Sequence, residues 1–302
     1  MNPFLVQGCD TPKTPLDPTV HGSMEDYVDV DRAEESFGRF QADFGNGARV
    51  LREGRLVVAL GATGCGKTAL INRCVRWLES ANEPSWFQHV FRKRPYSDKD
   101  QSVAARRRAT GQQLVDKLRS VGVVRPDTPI HDAKDDADRI YPLLDEALPP
   151  NTFVTLVLPP SDELIDELLY YAQMIGPKML VFTETSATHA LENKLGEFPS
   201  EALFLDVGPL RKADGDTFVA QRFKPVVDAG TWPLGGTPPP IEPDLLPGLI
   251  AARAMSIGEL QIMLHGIYDE ILSKGPPQPA QVTNKELLLY YHLRRGNERG
   301  GW

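Results

Sequence analysis

The sequence is poor in cysteine, lacks any long apolar run and has no cluster of histidines. Its three cysteines, Cys9, Cys65 and Cys74, are odd in number and lack metal-ligand spacing. That excludes a disulfide framework and a thiolate zinc site, and the expectation is a reduced, cytoplasmic chain. The six histidines are scattered, so no imidazole zinc pattern is present either. No apolar stretch approaches the ~20 residues that span a bilayer. Met1 to Gly8 has no basic segment leading into an apolar one. Neither a membrane anchor nor a secretory leader is therefore expected. Basic charge is also short, with 33 Lys and Arg against 41 Asp and Glu and a net of −8. Such a chain does not coat nucleic acid wholesale, although a local basic patch is left open.

What is present fits a globular chain. Its 302 residues are 41% hydrophobic and 25% charged, enough for one large domain or a core with a smaller one. Residues 1–25, rich in Pro, Thr, Gly and Asp, read as an arm. Val28 to Phe44 has helical spacing through Ala33, Phe37, Phe40 and Phe44. Arg55 to Leu60 is nearly continuous in apolar residues, as a buried parallel strand is. A glycine-rich turn follows, then a helix with Leu70, Ile71, Cys74, Val75 and Leu78 on one side. Further strands are expected at 86–91, 152–158, 178–182 and 202–207, with helices between them. Strands alternating with helices imply a parallel sheet with right-handed crossovers, an α/β fold. A Pro/Gly-rich stretch at 230–247 reads as a linker, and the pattern beyond it is helical only, at 249–275 and 283–295. Thr283 and Glu286 have capping-box spacing at the start of the last helix.

Gly61-Ala62-Thr63-Gly64-Cys65-Gly66-Lys67-Thr68 fits the phosphate-binding pattern G-x-x-x-x-G-K-[ST] completely. The glycines let the backbone curl so that its N–H groups point at a phosphate, and the helix that opens here adds the positive end of its dipole. Lys67 reaches the β- and γ-phosphates, and the Thr68 hydroxyl ligates Mg2+. Gly61 through Ala69 is therefore the expected cofactor-binding segment, with ATP and magnesium as the cofactors. Cys65 occupies a position that the pattern leaves free, as a small filler or a redox-sensitive group.

The chain resembles an AAA+ P-loop ATPase of the origin-recognition/STAND-like group. Asn2-Pro3-Phe4 and Tyr27-Val28-Asp29-Val30-Asp31-Arg32-Ala33-Glu34 carry the likeness, together with five strands followed by a helical region. The second segment is similar to a box that precedes the P-loop in that group, with Asp31 where glycine is usual. The resemblance implies a three-layer P-loop NTPase sheet in the order 5-1-4-3-2 with a small C-terminal helical lid. It divides the chain into an arm (1–25), a nucleotide-binding core (26–229), a linker (230–247) and a lid with its tail (248–302). It also places Val30 and Arg32 on the adenine side. Such families keep an acid, the Walker B residue, at the end of the third strand. Here Leu158 is followed by Pro159 and Pro160. Asp162 and Glu163 come next, as a displaced catalytic pair or as first-turn acids of the following helix. Thr183 and Glu184, at the end of the fourth strand, fall where the family has its sensor 1 residue. Asp206 is a weaker substitute. Lys194 lies near the arginine-finger position, and the sensor 2 stretch Ser256-Ile257-Gly258-Glu259-Leu260 has Glu259 and no arginine.

The segment from Arg92 to Arg108 concentrates basic residues, as a solvated face, a subunit interface or a nucleic-acid contact. Asp132, Asp135, Asp136 and Asp138 form an acidic counterpart. The expectation is an ATP-binding regulatory or assembly module whose nucleotide state controls self-association, as a homo-oligomer, or a protein partner. Hydrolysis is expected to be slow or absent, because transition-state charge stabilisation is incomplete. The rivals are an active ATPase remodelling a protein or nucleic acid, and an ATP-controlled DNA-binding adaptor. No membrane partner is expected.

Overall fold

The computed structural model describes the chain except residues 1, 46, 81–86, 93–101, 126, 134–135, 160–164, 187–201 and 300–302. The chain forms two compact units. One, the sheet unit, comprises Glu35–Gly61 and Leu70–Asp206; the other, the helical unit, comprises Met1–Glu34, Ala62–Ala69 and Val207–Trp302.

The strands are β1 (Arg55–Leu60), β2 (Phe87–Arg92), β3 (Thr152–Val157), β4 (Met179–Thr185) and β5 (Leu203–Asp206). They form one parallel sheet in the order β2-β3-β4-β1-β5, the expected topology. The helices that precede or connect these strands are α1 (Ala33–Phe44), α2 (Ala48–Glu53), α3 (Lys67–Ser80) and α4 (Val103–Ser120). The short α5 (Pro129–Asp132), α6 (Ala137–Ile140) and α7 (Leu144–Ala147) follow, then α8 (Ile165–Met174). All six residues of β1 and all seven of β4 are buried, which explains their apolar composition as central strands. The edge strand β2 is half-buried, with Phe87 exposed.

Alternation along the strands sorts side chains to two faces. On one, Leu56, Val58, Val154, Leu156 and Val181 join Leu114 and Leu118 of α4 and Tyr171 of α8. On the other, Phe182 packs on Phe40 of α1 at a centroid distance of 5.6 Å, and Phe44 lies 5.8 Å from Trp77 of α3. A two-pronged Arg55–Asp43 pair, at 2.8 and 2.6 Å, fixes the start of β1 against α1.

Several boundaries differ from the sequence reading. α1 starts at Ala33 and not near Val28, because Asp31 and Arg32 adopt left-handed backbone at φ +50° and +69°. β4 runs on to Thr185, because it pairs with β1 up to Leu60. The described part of the basic segment is mixed: Arg108 is exposed, whereas Arg92, Arg106 and Arg107 are engaged within the chain. Arg106 is 5% exposed and pairs with Glu167 at 3.0 Å, and the Arg107 guanidinium stacks 3.8 Å over the Tyr170 ring. Arg92 donates to Asn72 at 2.6 Å. Lys93 to Asp100, Asp135, Lys194 and the terminal Trp302 lie outside the described residues.

In the helical unit α9 is Asp214–Asp228, α10 Leu245–Ala252, α11 Ile257–Lys274 and α12 Asn284–Arg299. The helix expected over 249–275 is thus two helices. Ser256 turns extended and caps α11, accepting from Glu259 N–H while Glu259 reaches back to Ser256 N–H. Glu286 likewise accepts from Thr283 N–H at 2.9 Å, as the sequence pattern predicted. Residues 230–244 contain no helix or strand, yet they are anchored: Trp232 donates to Gln278 at 2.8 Å, and Ile241 bridges Val282.

The first residues belong to this unit's core. Phe4 is fully buried and sits 5.2 Å from Tyr268, 5.7 Å from Phe223 and 6.0 Å from Phe218. Asn2 donates to the His265 carbonyl at 2.9 Å. No helix among the described residues is long and apolar enough to cross a membrane. Phe4→Ala is expected to cost about 3–5 kcal/mol, measured as the shift in urea unfolding; a cost under about 1 kcal/mol would show that the N-terminal segment is not core.

Candidate functional site

The phosphate-type loop lies between β1 and α3, as its strand–turn–helix context requires. Its entry belongs to the sheet unit, where Gly61 N–H donates to the Thr185 carbonyl of β4 at 3.3 Å. Its body belongs to the helical unit. Gly64 and Gly66 both take φ +83°, a conformation that side chains resist. Left-handed glycines are the backbone from which anion nests are built, and these two stand at the N-terminus of a fourteen-residue helix, with the Cys65 N–H between them donating to the Ala62 carbonyl at 3.2 Å. Lys67 is 8% exposed and its amine donates to the Ala62 carbonyl at 3.0 Å, so it bridges the loop from within. Thr68 is exposed at the first turn of α3.

The first turn of α11 clasps this loop. Gly258 N–H donates to the Gly64 carbonyl at 3.0 Å. A β-carbon on Gly64 would come within 2.7 Å of Ser256 Oγ, and one on Gly258 within 3.0 Å of the Gly64 carbonyl oxygen. Ile257 lies 3.5 Å from where a β-carbon on Gly66 would stand. Backbone meets backbone here because both sides are glycine. The expected sensor 2 position is therefore beside the loop, but Glu259 there is committed to the capping box. Sequence reasoning missed this contact; the Ser-x-Gly-Glu pattern carried its signal.

The segment before α1 closes the other side. Tyr27 donates to the Ala69 carbonyl at 3.0 Å. Val30 is buried in the helical unit's apolar core, while Arg32 is exposed. Asp31 is 3% exposed, and one carboxyl oxygen lies 4.0 Å from the β-carbon position of Gly66. Its backbone N–H donates to Asp214 at 3.1 Å, and Ala33 N–H, which donates to the Val30 carbonyl at 2.9 Å, opposes the rise of its acid. Burial first, and then the Asp214 carboxylate, push the Asp31 acid up to about 8. Aspartate takes the place of glycine here because it is among the few residues that accept left-handed backbone. Cys65 is 1% exposed, and burial, with Asp31 beside it, raises its thiol, which favours the filler over the redox-sensitive reading.

The candidate carboxylates separate. Asp162 and Glu163 lie outside the described residues. Asp206 is half-exposed, pairs with Arg39 at 3.5 Å, and its carbonyl accepts from Ser36. Thr183 pairs with Val58 on the sheet face shared with α4, whereas Glu184 pairs with Ala59 on the face covered by α1 and α3. Continuing the β3–β4 register two residues past Val157 and Phe182 brings Pro159 level with Glu184. Among the described residues no cluster of three metal-ligating side chains occurs.

A five-stranded parallel sheet with the phosphate loop after its β1, together with a separate helical unit clasping that loop, is a specific combination. The Orc1 protein of Aeropyrum pernix, solved in complex with DNA, aligns with 88% of this chain at a TM-score of 0.57 and 16% identity. The chain has the AAA+ fold. At that identity the likeness speaks for the AAA+ fold alone, and this chain spans 66% of the Orc1 chain. Cdc6p from Pyrobaculum aerophilum aligns at a TM-score of 0.49 and 13% identity, over 86% of this chain and 66% of that one. Domain III of the Thermotoga maritima replication initiation protein DnaA aligns at 0.48 and 13%, over 92% and 97%. Those two scores are too low to carry an argument. No protein-family model matches the sequence, and no curated protein matches it.

The raised Asp31 acid has a consequence for stability. Unfolding releases its proton at any pH between the unfolded value of 3.8 and the folded value of about 8. Its contribution is fully present below the lower value, is lost as pH rises towards the upper one, and is flat beyond it. Wild type is expected to lose stability relative to Asp31→Asn between about pH 4 and pH 8. Parallel urea curves for the two proteins across that range would contradict this.

Proposed function

We propose that this chain binds ATP with Mg2+ in the loop from Gly61 to Thr68, and that the bound state sets the position of α11 and so controls self-association or a protein partner. The observation that carries the reading is the nest at Gly64 and Gly66, with Lys67 inside it and the first turn of α11 bonded to it. The residues fit the ligand. The loop N–H groups and Lys67 would hold the β- and γ-phosphates, and Thr68 the metal. When bound, Mg2+ supplies neutralisation of the phosphate charge. A phosphate that draws on the loop N–H groups bears directly on the Gly64 carbonyl bonded to Gly258, so the loop and α11 are coupled through one peptide.

Hydrolysis is proposed to be slow. Pro159 stands at the end of β3, and Glu259 is held in a cap where an arginine would stabilise transferring charge. Glu184 is the carboxylate we assign to ordering water for whatever turnover remains, and Val30 and Arg32 the residues we assign to the adenine side. Among the described residues, Arg106 and Arg107 are engaged internally, which speaks against a DNA adaptor built on that segment.

The test is binding of Mg-ATP, with particle size and phosphate release followed in the same samples. Wild type is expected to bind and to change size between ADP and ATP, while Lys67→Ala binds at least about a hundredfold more weakly, roughly 3 kcal/mol. Glu184→Gln is expected to remove residual phosphate release and leave affinity intact. Normal binding by Lys67→Ala, or a turnover of several per second by wild type, would contradict the reading.

A further inference from the structure

The Asp31 carboxyl is a buried acid wedged between a phosphate loop and a second carboxylate. One oxygen lies 4.0 Å from where a β-carbon on Gly66 would stand, and Asp214 is bonded to the backbone N–H of the same residue at 3.1 Å. Asp214 accepts two backbone bonds, from Asp31 N–H at 3.1 Å and Arg211 N–H at 2.6 Å. The charged and titratable groups around it come from each neighbouring element. They are Asp214 and Arg211 at the entry to α9, Asp29 on its own segment, and Cys65 on the loop, itself acted on by Lys67 and Glu259. The balance around the carboxyl is acidic.

Building on the nucleotide-binding reading, we propose that binding of a nucleoside triphosphate takes up a proton at Asp31, so that the loop closes on phosphate only with this carboxyl neutral. A carboxylate there would add a third like charge to the phosphates and Asp214; a carboxylic acid adds none. The nucleotide in turn disfavours ionisation of Asp31, and by linkage the two effects are equal. In the free protein burial and Asp214 already hold the acid up to about 8, so the transition falls near neutral pH. The Cys65 thiol is raised by burial and by Asp31, which places it above this window.

The experiment is calorimetric titration of the full chain with Mg-ATP from about pH 7 to pH 9, above the range where the phosphates themselves gain protons, in buffers of different ionisation enthalpy. Wild type is expected to weaken about tenfold across the range, with proton uptake near its midpoint, as one pKa unit of coupling requires. Asp31→Asn, which imitates the neutral carboxyl, is expected to bind with pH-independent affinity and no buffer dependence. Asp214→Asn removes the like charge and is expected to move the transition to lower pH, which keeps the test alive should Asp31→Asn fold poorly. Wild-type affinity that is flat with pH, or that falls equally in Asp31→Asn, overturns this proposal and leaves the binding reading standing. Absence of binding at every pH overturns both.

Discussion

The hydrogen bond from Gly258 N–H to the Gly64 carbonyl is the constraint on which the arrangement depends. A phosphate loop must turn its N–H groups towards its ligand, which leaves its carbonyls facing outward and in need of donors. Here the first turn of a helix supplies one. The first four N–H groups of a helix have no partner within it, so α11 loses nothing internal by giving one away. Glycine at 64 and 258 is the steric condition, since a β-carbon on Gly64 would come within 2.7 Å of Ser256 Oγ and one on Gly258 within 3.0 Å of the Gly64 carbonyl oxygen. The capping box at Ser256 and Glu259 then holds the turn in register.

That contact explains why Ala62–Ala69 group with the helical unit although they follow β1 directly in sequence. The N-terminal segment serves the same unit. Phe4 fills its aromatic core, Tyr27 reaches the first turn of α3, and Asp31 lies against Gly66. The residues around the loop are thus drawn from the first 34 positions and from the end of the chain. The glutamate in the cap gives this surrounding a more negative character than a sensor arginine would.

Much of the fold was legible in the sequence because strand burial leaves a direct trace. β1 and β4 are buried along their length, so they read as apolar runs, and the phosphate pattern fixed which strand was central. The errors have local causes. Two consecutive left-handed residues, Asp31 and Arg32, ended the helical pattern that Val28 and Val30 seemed to begin, and backbone handedness leaves little mark on side-chain periodicity. The capping serine at 256 divided one apolar stretch into two helices. The candidate site was legible in its cradle and not in its surroundings. Lys67 and the glycines follow a spacing, whereas the closeness of Gly258 or Asp31 to the loop is a matter of tertiary packing. That Pro159 falls level with Glu184 when the register is continued past Val157 and Phe182 is something a sequence does not state. Arg106 looked like surface charge and is a buried ion pair, because a charge run does not reveal which of its members faces inward.

The central claim is that one structural element, the loop with the first turn of α11, receives the phosphates. Amide hydrogen exchange resolved to single residues, with and without Mg-ATP, tests it most directly. The account predicts that Gly64, Gly66, Lys67 and Gly258 slow together on addition of nucleotide. Protection confined to residues outside this set, or none at saturating ATP, would contradict it.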